Sequence, residues 1–110
     1  MKVWLDDRRS PYPEPDDWVW VRTPSEAIEL LETGEVSELS LDHDLGLMEG
    51  DRELTGYDVV TWMEQAVVTE GFEPPRTIRV HSSNAPAAAR MERGIEAIRR
   101  LADRSGQEDR

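Results

Sequence analysis

Three short apolar runs in this chain stop abruptly in clusters of carboxylate, imidazole and hydroxyl groups. Lys2 to Leu5 ends at Asp6-Asp7-Arg8, Leu39-Ser40-Leu41 ends at Asp42-His43-Asp44, and Thr77 to Val80 ends at His81-Ser82-Ser83-Asn84. Runs this short cannot make buried helices and read as strands. Trp18-Val19-Trp20-Val21 adds a further strand, β-rich and alternating. Between the strands lie helix signals. Thr23-Pro24-Ser25-Glu26 combines a capping hydroxyl, a proline suited to the first turn and a glutamate that can close a capping box. Ala27, Leu30 and Leu31 follow as an apolar stripe, and Gly34 reads as the stop. Thr55-Gly56-Tyr57-Asp58 repeats the capping logic ahead of Val59, Val60, Met63, Ala66 and Val67, up to Gly71. Pro74-Pro75 breaks the chain, and Pro86 opens a long helix with Met91, Ile95, Ile98 and Ala102 on one stripe. Pro11, Pro13 and Pro15 exclude a helix between the first two strands and predict an extended loop. Leu47 to Leu54 has no clear periodicity and reads as a surface loop.

Strands separated by helices predict an α/β fold with a short parallel sheet of about four strands and flanking helices. The last strand alternates Ile78 and Val80 with Arg79 and His81, so it belongs at an edge, since a central parallel strand is apolar on both faces. The expected order is 2-1-3-4. One domain spans 1–102, and 103–110 reads as a flexible polar tail.

In open α/β sheets, ligands bind beyond the carboxyl ends of the strands, where the strand order reverses. The 2-1-3-4 order brings all three polar clusters to one crevice there. Both histidines of the chain, His43 and His81, fall in these clusters. Asp6, Asp7, Asp42 and Asp44 would crowd one small volume, and like charges so close need protons or a cation. A hard divalent ion, Mg²⁺ or Mn²⁺, is the expected cofactor. His43 and His81 can exchange protons near neutral pH and are the candidate catalytic residues. Arg8, Ser82, Ser83 and Asn84 are candidate phosphate-binding residues, with Ser and Asn also serving as helix caps. Trp4 and Trp62 read as core. Trp18 and Trp20 share a strand face and read as packing rather than as a base-stacking platform.

Charge and composition narrow the partners. With a formal charge of −11 the chain is a poor ligand for nucleic-acid backbone, so duplex nucleic acid is not expected. A single nucleotide or an RNA end fits if a metal or an arginine neutralises it. The absence of cysteine excludes disulfides and thiolate chemistry and suits a cytoplasmic location. No apolar run reaches the length of a membrane span, and Met1 to Asp6 lacks a signal-peptide core, so no membrane association is expected. An exposed edge strand makes pairing with a second copy, as a homodimer, an expectation.

An acidic pair after the first strand, an aspartate closing the third and a serine closing the fourth resemble the receiver domains of two-component signalling. The resemblance implies that Asp6 and Asp7 hold Mg²⁺, that Asp42 sits at the phosphoacceptor position and Ser82 at the Ser/Thr position. Gly56 matches the glycine before the third family helix. The chain departs from the receiver pattern in three places. The proline loop stands where the first helix belongs, the fifth strand with its lysine has no counterpart, and His43 follows the acceptor-like aspartate. The strings LDD-R, LSLDHDLG, TGYDVV and VHSSN, over about residues 1–102, resemble a receiver-derived family, the cyclic-phosphate processing receiver domains. That resemblance implies a metal-dependent phosphoesterase acting on a cyclic phosphate, a 2′,3′-cyclic nucleotide or RNA end, with two histidines as acid and base. The competing expectations are a non-catalytic module phosphorylated on Asp42 and a sensor of a cyclic nucleotide.

Overall fold

The computed structural model describes residues 1–108, with side chains through Arg104. Its elements are β1 (Lys2–Leu5), β2 (Trp18–Val21), α1 (Pro24–Glu32), β3 (Glu38–Leu41), β4 (Asp44–Glu49), β5 (Arg52–Thr55), α2 (Tyr57–Glu70), β6 (Thr77–Val80) and α3 (Ala85–Glu108). The four expected strands pair, all parallel, in the order β2-β1-β3-β6. This is the expected 2-1-3-4 sheet, with β6 at the edge. The fold is α/β, of receiver or flavodoxin type.

Strand alternation sorts the side chains onto two faces. Val3, Leu5, Val21, Leu39 and Leu41 point to one face and join Ala27 and Leu31 of α1, Val59, Val60, Met63 and Val67 of α2, and Met91, Ile95 and Ile98 of α3 in a single core. All three helices therefore bank against the same side of the sheet. The register places Trp20, Trp4, Ser40 and Arg79 in one row on the other side. The tryptophans there pack among themselves and under cations. Trp4 meets Trp18 edge-on at 5.6 Å, Lys2 lies 5.6 Å from the Trp18 ring, and Arg22 lies 4.2 Å from the Trp20 ring. Trp4 is buried, while Trp62 packs half-buried against Phe72 at the edge of the core.

The local signals act much as expected. Thr23 Oγ1 accepts the Glu26 N–H, and the Glu26 carboxylate accepts from the Thr23 hydroxyl and the Arg22 N–H. Gly34 and Gly71 take the left-handed conformation that ends α1 and α2. At α2 the cap shifts by a residue: Gly56 is the N-cap, and the Asp58 carboxylate accepts the Thr55 N–H. The proline loop contains one 3-10 turn, Pro15–Asp17, so it is not extended throughout. Backbone of the expected polar tail is helical to Glu108, and residues 109 and 110 lie outside the described residues.

The segment read as a surface loop, Leu47 to Leu54, is instead part of a β-hairpin. β4 and β5 pair antiparallel, with Leu47 opposite Leu54 and Glu49 opposite Arg52. Gly50, at φ 63°, and Asp51 make the two-residue connection. Leu45, almost fully buried, anchors the hairpin to the core. The strands lack β-branched and aromatic residues except Thr55, which is why their composition hid them.

Gly56 marks the tightest point of the fold. A Cβ there would lie 1.8 Å from the Asp42 carbonyl oxygen, and backbone cannot give way as a side chain can. A Cβ on Gly94, where α3 crosses α2, would meet Val60 Cγ1 at 2.7 Å. Gly56→Ala should therefore cost about 3 kcal/mol or more, and Gly94→Ala visibly less, because a valine can turn. Urea unfolding of both variants checks this ranking. Equal midpoints would show that the start of α2 is free to move away from Asp42.

Candidate functional site

The site begins with Asp6, the residue that follows β1. Its side chain is 1% exposed, so each lone pair needs a donor. Oδ1 accepts the backbone N–H groups of Arg8 and Arg9, both at 2.8 Å. Oδ2 lies 3.1 Å from His81 Nε2 and 3.3 Å from Arg9 Nε. Burial alone would push this carboxyl up. The Arg9 and Arg8 N–H groups and the His81 ring outweigh burial and hold it below its ordinary value of 3.8.

His81 is fixed on three sides. Its ring stacks on Trp4, with centroids 3.8 Å apart and planes within 7°. Ser40 Oγ lies 2.8 Å from Nδ1. Burial, the largest influence, lowers the His81 pKa despite the Asp6 carboxylate beside it, so the neutral ring is favoured. Its partners assign the tautomer. An ionised Asp6 can only accept, so Nε2 carries the proton and Nδ1 accepts from the Ser40 hydroxyl. Ser40, a polar residue inside an apolar strand, thus has a role that the sequence reading did not give it.

Asp42 follows β3 and is 8% exposed at the side chain. Its Oδ1 accepts the His43 N–H at 2.8 Å. Burial raises the Asp42 pKa most, the His43 N–H opposes it, and the Asp6 and Asp7 carboxylates add to the rise. His43 turns the other way: its Nδ1 lies 2.7 Å from Asp44 Oδ1. That contact lowers the Asp44 pKa. Asn84 Nδ2 reaches both Asp44 oxygens, at 3.4 and 3.3 Å, while its Oδ1 caps α3 through the Ala87 N–H. A hydrogen bond from Nδ1–H to an ionised Asp44 leaves Nε2 of His43 as the ring's acceptor nitrogen.

These strand ends surround an open crevice of about 480 Å³ lined by Asp6, Asp7, Arg8, Arg9, Asp42, Asp44 and Ser83. Asp7 Oδ2 lies 3.7 Å from Arg8 Nε. Arg8 is otherwise turned outward, 88% exposed. Arg9, which the sequence reading passed over, turns inward to Asp6, to Asp42 Oδ1 at 3.8 Å and to the His81 carbonyl at 3.3 Å. Ser82 Oγ accepts the Asn84 N–H and shapes the turn into α3. Asp6, Asp42 and His81 each offer a ligand atom within 4.8 Å of the others, a donor set that can hold a divalent ion. Asp7 and Asp44 stand outside that trio.

Asp6 and Asp42 should respond to neutralisation with opposite signs. In chelator, Asp42→Asn should raise stability by about 1 kcal/mol, a gain of several degrees in melting temperature, because it removes a buried charge facing Asp6 and Asp7. Asp6→Asn should lower stability by about 2 kcal/mol, because one amide oxygen cannot serve the Arg8, Arg9 and His81 donors and the Arg9 guanidinium loses its counter-charge. Asp42 binds its proton more readily folded than unfolded. Acidification from its raised pKa towards 3.8 should therefore stabilise the wild type through Asp42. Asp6 contributes stability above 3.8 that is lost as the pH falls through its lowered pKa. Thermal melts of the three proteins across pH check both limbs. A destabilised Asp42→Asn would reject the like-charge account.

No helix of the described residues is long and apolar enough to cross a membrane. No curated protein and no solved structure matches the chain. The model of one family does match, over residues 1–97, and its description is cyclic-phosphate processing receiver domain. That span holds the parallel sheet, the three strand-end clusters and most of α3, and the chain belongs to this family.

Proposed function

We propose that this domain hydrolyses a cyclic phosphate ester, with a 2′,3′-cyclic nucleotide or RNA end as substrate, and that His43 is the general base. The contact of His43 Nδ1 with Asp44, 2.7 Å long and braced by Asn84, is the observation that carries the reading. It orients the imidazole and favours the tautomer whose Nε2 can take a proton. Asp44 and Asn84 are then positioning residues rather than a metal ligand and a phosphate ligand.

Asp6 and Asp42 would hold the metal, while His81 keeps its Nε2–H on Asp6. Two carboxylates completed by waters suit Mg²⁺ or Mn²⁺. When bound, the ion supplies positive charge that neutralises the phosphoryl oxygens. In the reaction, a water oxygen bonds to phosphorus and one ring P–O bond breaks. The proton of that water passes to His43 Nε2. The leaving sugar oxygen takes its proton from solvent, because His81 is a poor acid here: both its nitrogens are engaged and its neutral form is favoured. Ser83 and the two arginines on the crevice wall would face the anion.

Incubation with 2′,3′-cyclic nucleotides and Mn²⁺ or Mg²⁺, followed by ³¹P NMR, tests the proposal. Conversion to a monophosphate should stop in chelator. It should fall about 100-fold in His43→Ala, and about tenfold or more in Asp44→Asn. Full activity in His43→Ala would remove the base assignment. An unchanged nucleotide that raises the melting temperature would point to a sensor. Labelling of Asp42 by a small phosphodonor, without turnover, would point to a signalling module.

A further inference from the structure

Counting lone pairs at Asp6 leads to Arg9. An ionised carboxylate has about four acceptor positions. At Asp6 three are taken by the N–H groups of Arg8 and Arg9 on Oδ1 and by His81 Nε2 on Oδ2, and the Arg9 guanidinium stands over the fourth as an ion pair, its Nε 3.3 Å from Oδ2. A cation that binds Asp6 must displace one of these four. The two backbone N–H groups are fixed by the turn after β1. His81 is pinned by Trp4 and Ser40. The Arg9 guanidinium is the exposed and most loosely held member: 55% exposed, with contacts of 3.3 to 3.8 Å. It also spans Asp6 and Asp42, the two carboxylates that a divalent ion would bridge.

We propose that Arg9 is the resident counter-cation of the Asp6–Asp42 pair and that a divalent metal binds by exchanging with its guanidinium. The proposal rests on the divalent-ion reading of the site. It makes Arg9 a tuning residue for metal affinity. The arginine keeps two buried carboxylates tolerable without metal, and the ion has to outcompete it. Arg8 has no such part, because among the described residues its side chain pairs with Asp7 alone.

Binding of Mn²⁺ alone, followed by the electron paramagnetic resonance of the free ion in 0.15 M salt, tests this on the whole chain. The salt suppresses loose binding to surface carboxylates, and Asp42→Asn is the control that should lose the site. Arg9→Gln keeps the backbone N–H that serves Asp6 but removes the competing charge. It should tighten Mn²⁺ binding about tenfold, the effect expected for one unit charge some 4 Å away. In chelator the same variant should melt below the wild type. Arg9→Lys keeps the charge without the fork and should tighten binding less, about threefold; it also serves as the reading if the Gln variant does not fold. Wild-type binding with equal or weaker affinity in both variants would overturn the exchange and leave the metal reading standing. Failure of the wild type and both variants to bind Mn²⁺ would overturn both.

Discussion

A carboxylate that cannot reach water has to be answered by donors, and much of this structure is the answer to Asp6. The chain turns after β1 so that two successive N–H groups meet one oxygen. That turn aims Arg9 back at the sheet rather than into solvent. The last strand has to dock in register so that His81 reaches the other oxygen from 75 positions away. Trp20 closes the shell by donating its indole N–H to the Asp6 carbonyl, and Trp4 does the same to the Arg9 carbonyl. Residues from three strand ends are thereby held around one carboxylate.

Among the described residues, helices cover one face of the sheet only, and this sets the character of the site. A parallel sheet usually buries both faces under helices. Here the second face carries edge-packed tryptophans, a serine and an arginine, and the proline loop takes the place of a helix. His81 can therefore lie flat on Trp4 instead of beneath a second layer. Aromatic surface replaces an aliphatic core on this side, and it leaves the strand ends open to a ligand.

Much of this was legible from residue order. The strands, their parallel order and the meeting of three polar clusters follow from where short apolar runs begin and stop. The hairpin was not, because Asp44 to Thr55 has helix-neutral, strand-poor composition; only the Gly50-Asp51 pair between Leu47 and Leu54 signalled it. Arg9 was hidden for a different reason. Nothing in the letters separates Arg8 from Arg9, and the geometry of the Asp6 turn alone decides which faces inward. Ser40 could have been found, since a hydroxyl within a buried Leu-Ser-Leu strand must have a partner. The partition of the carboxylates, with Asp6 and Asp42 beside His81 and Asp44 beside His43, depends on side-chain directions at the strand ends, which spacing does not encode.

The parallel sheet has a consequence for how the molecule assembles. No two of its neighbouring strands are joined by a tight turn; β1 and β3 are 36 residues apart in register, and β3 and β6 are 39 apart. Each pairing closes a long loop before any contact repays the lost chain entropy. The hairpin and the helices can form locally, but Asp6 acquires its histidine only when the final strand arrives. The sheet edge and the histidine partner of Asp6 thus come from one segment. A chain cut before Thr77 would lose the edge of its sheet and the histidine partner of Asp6 together.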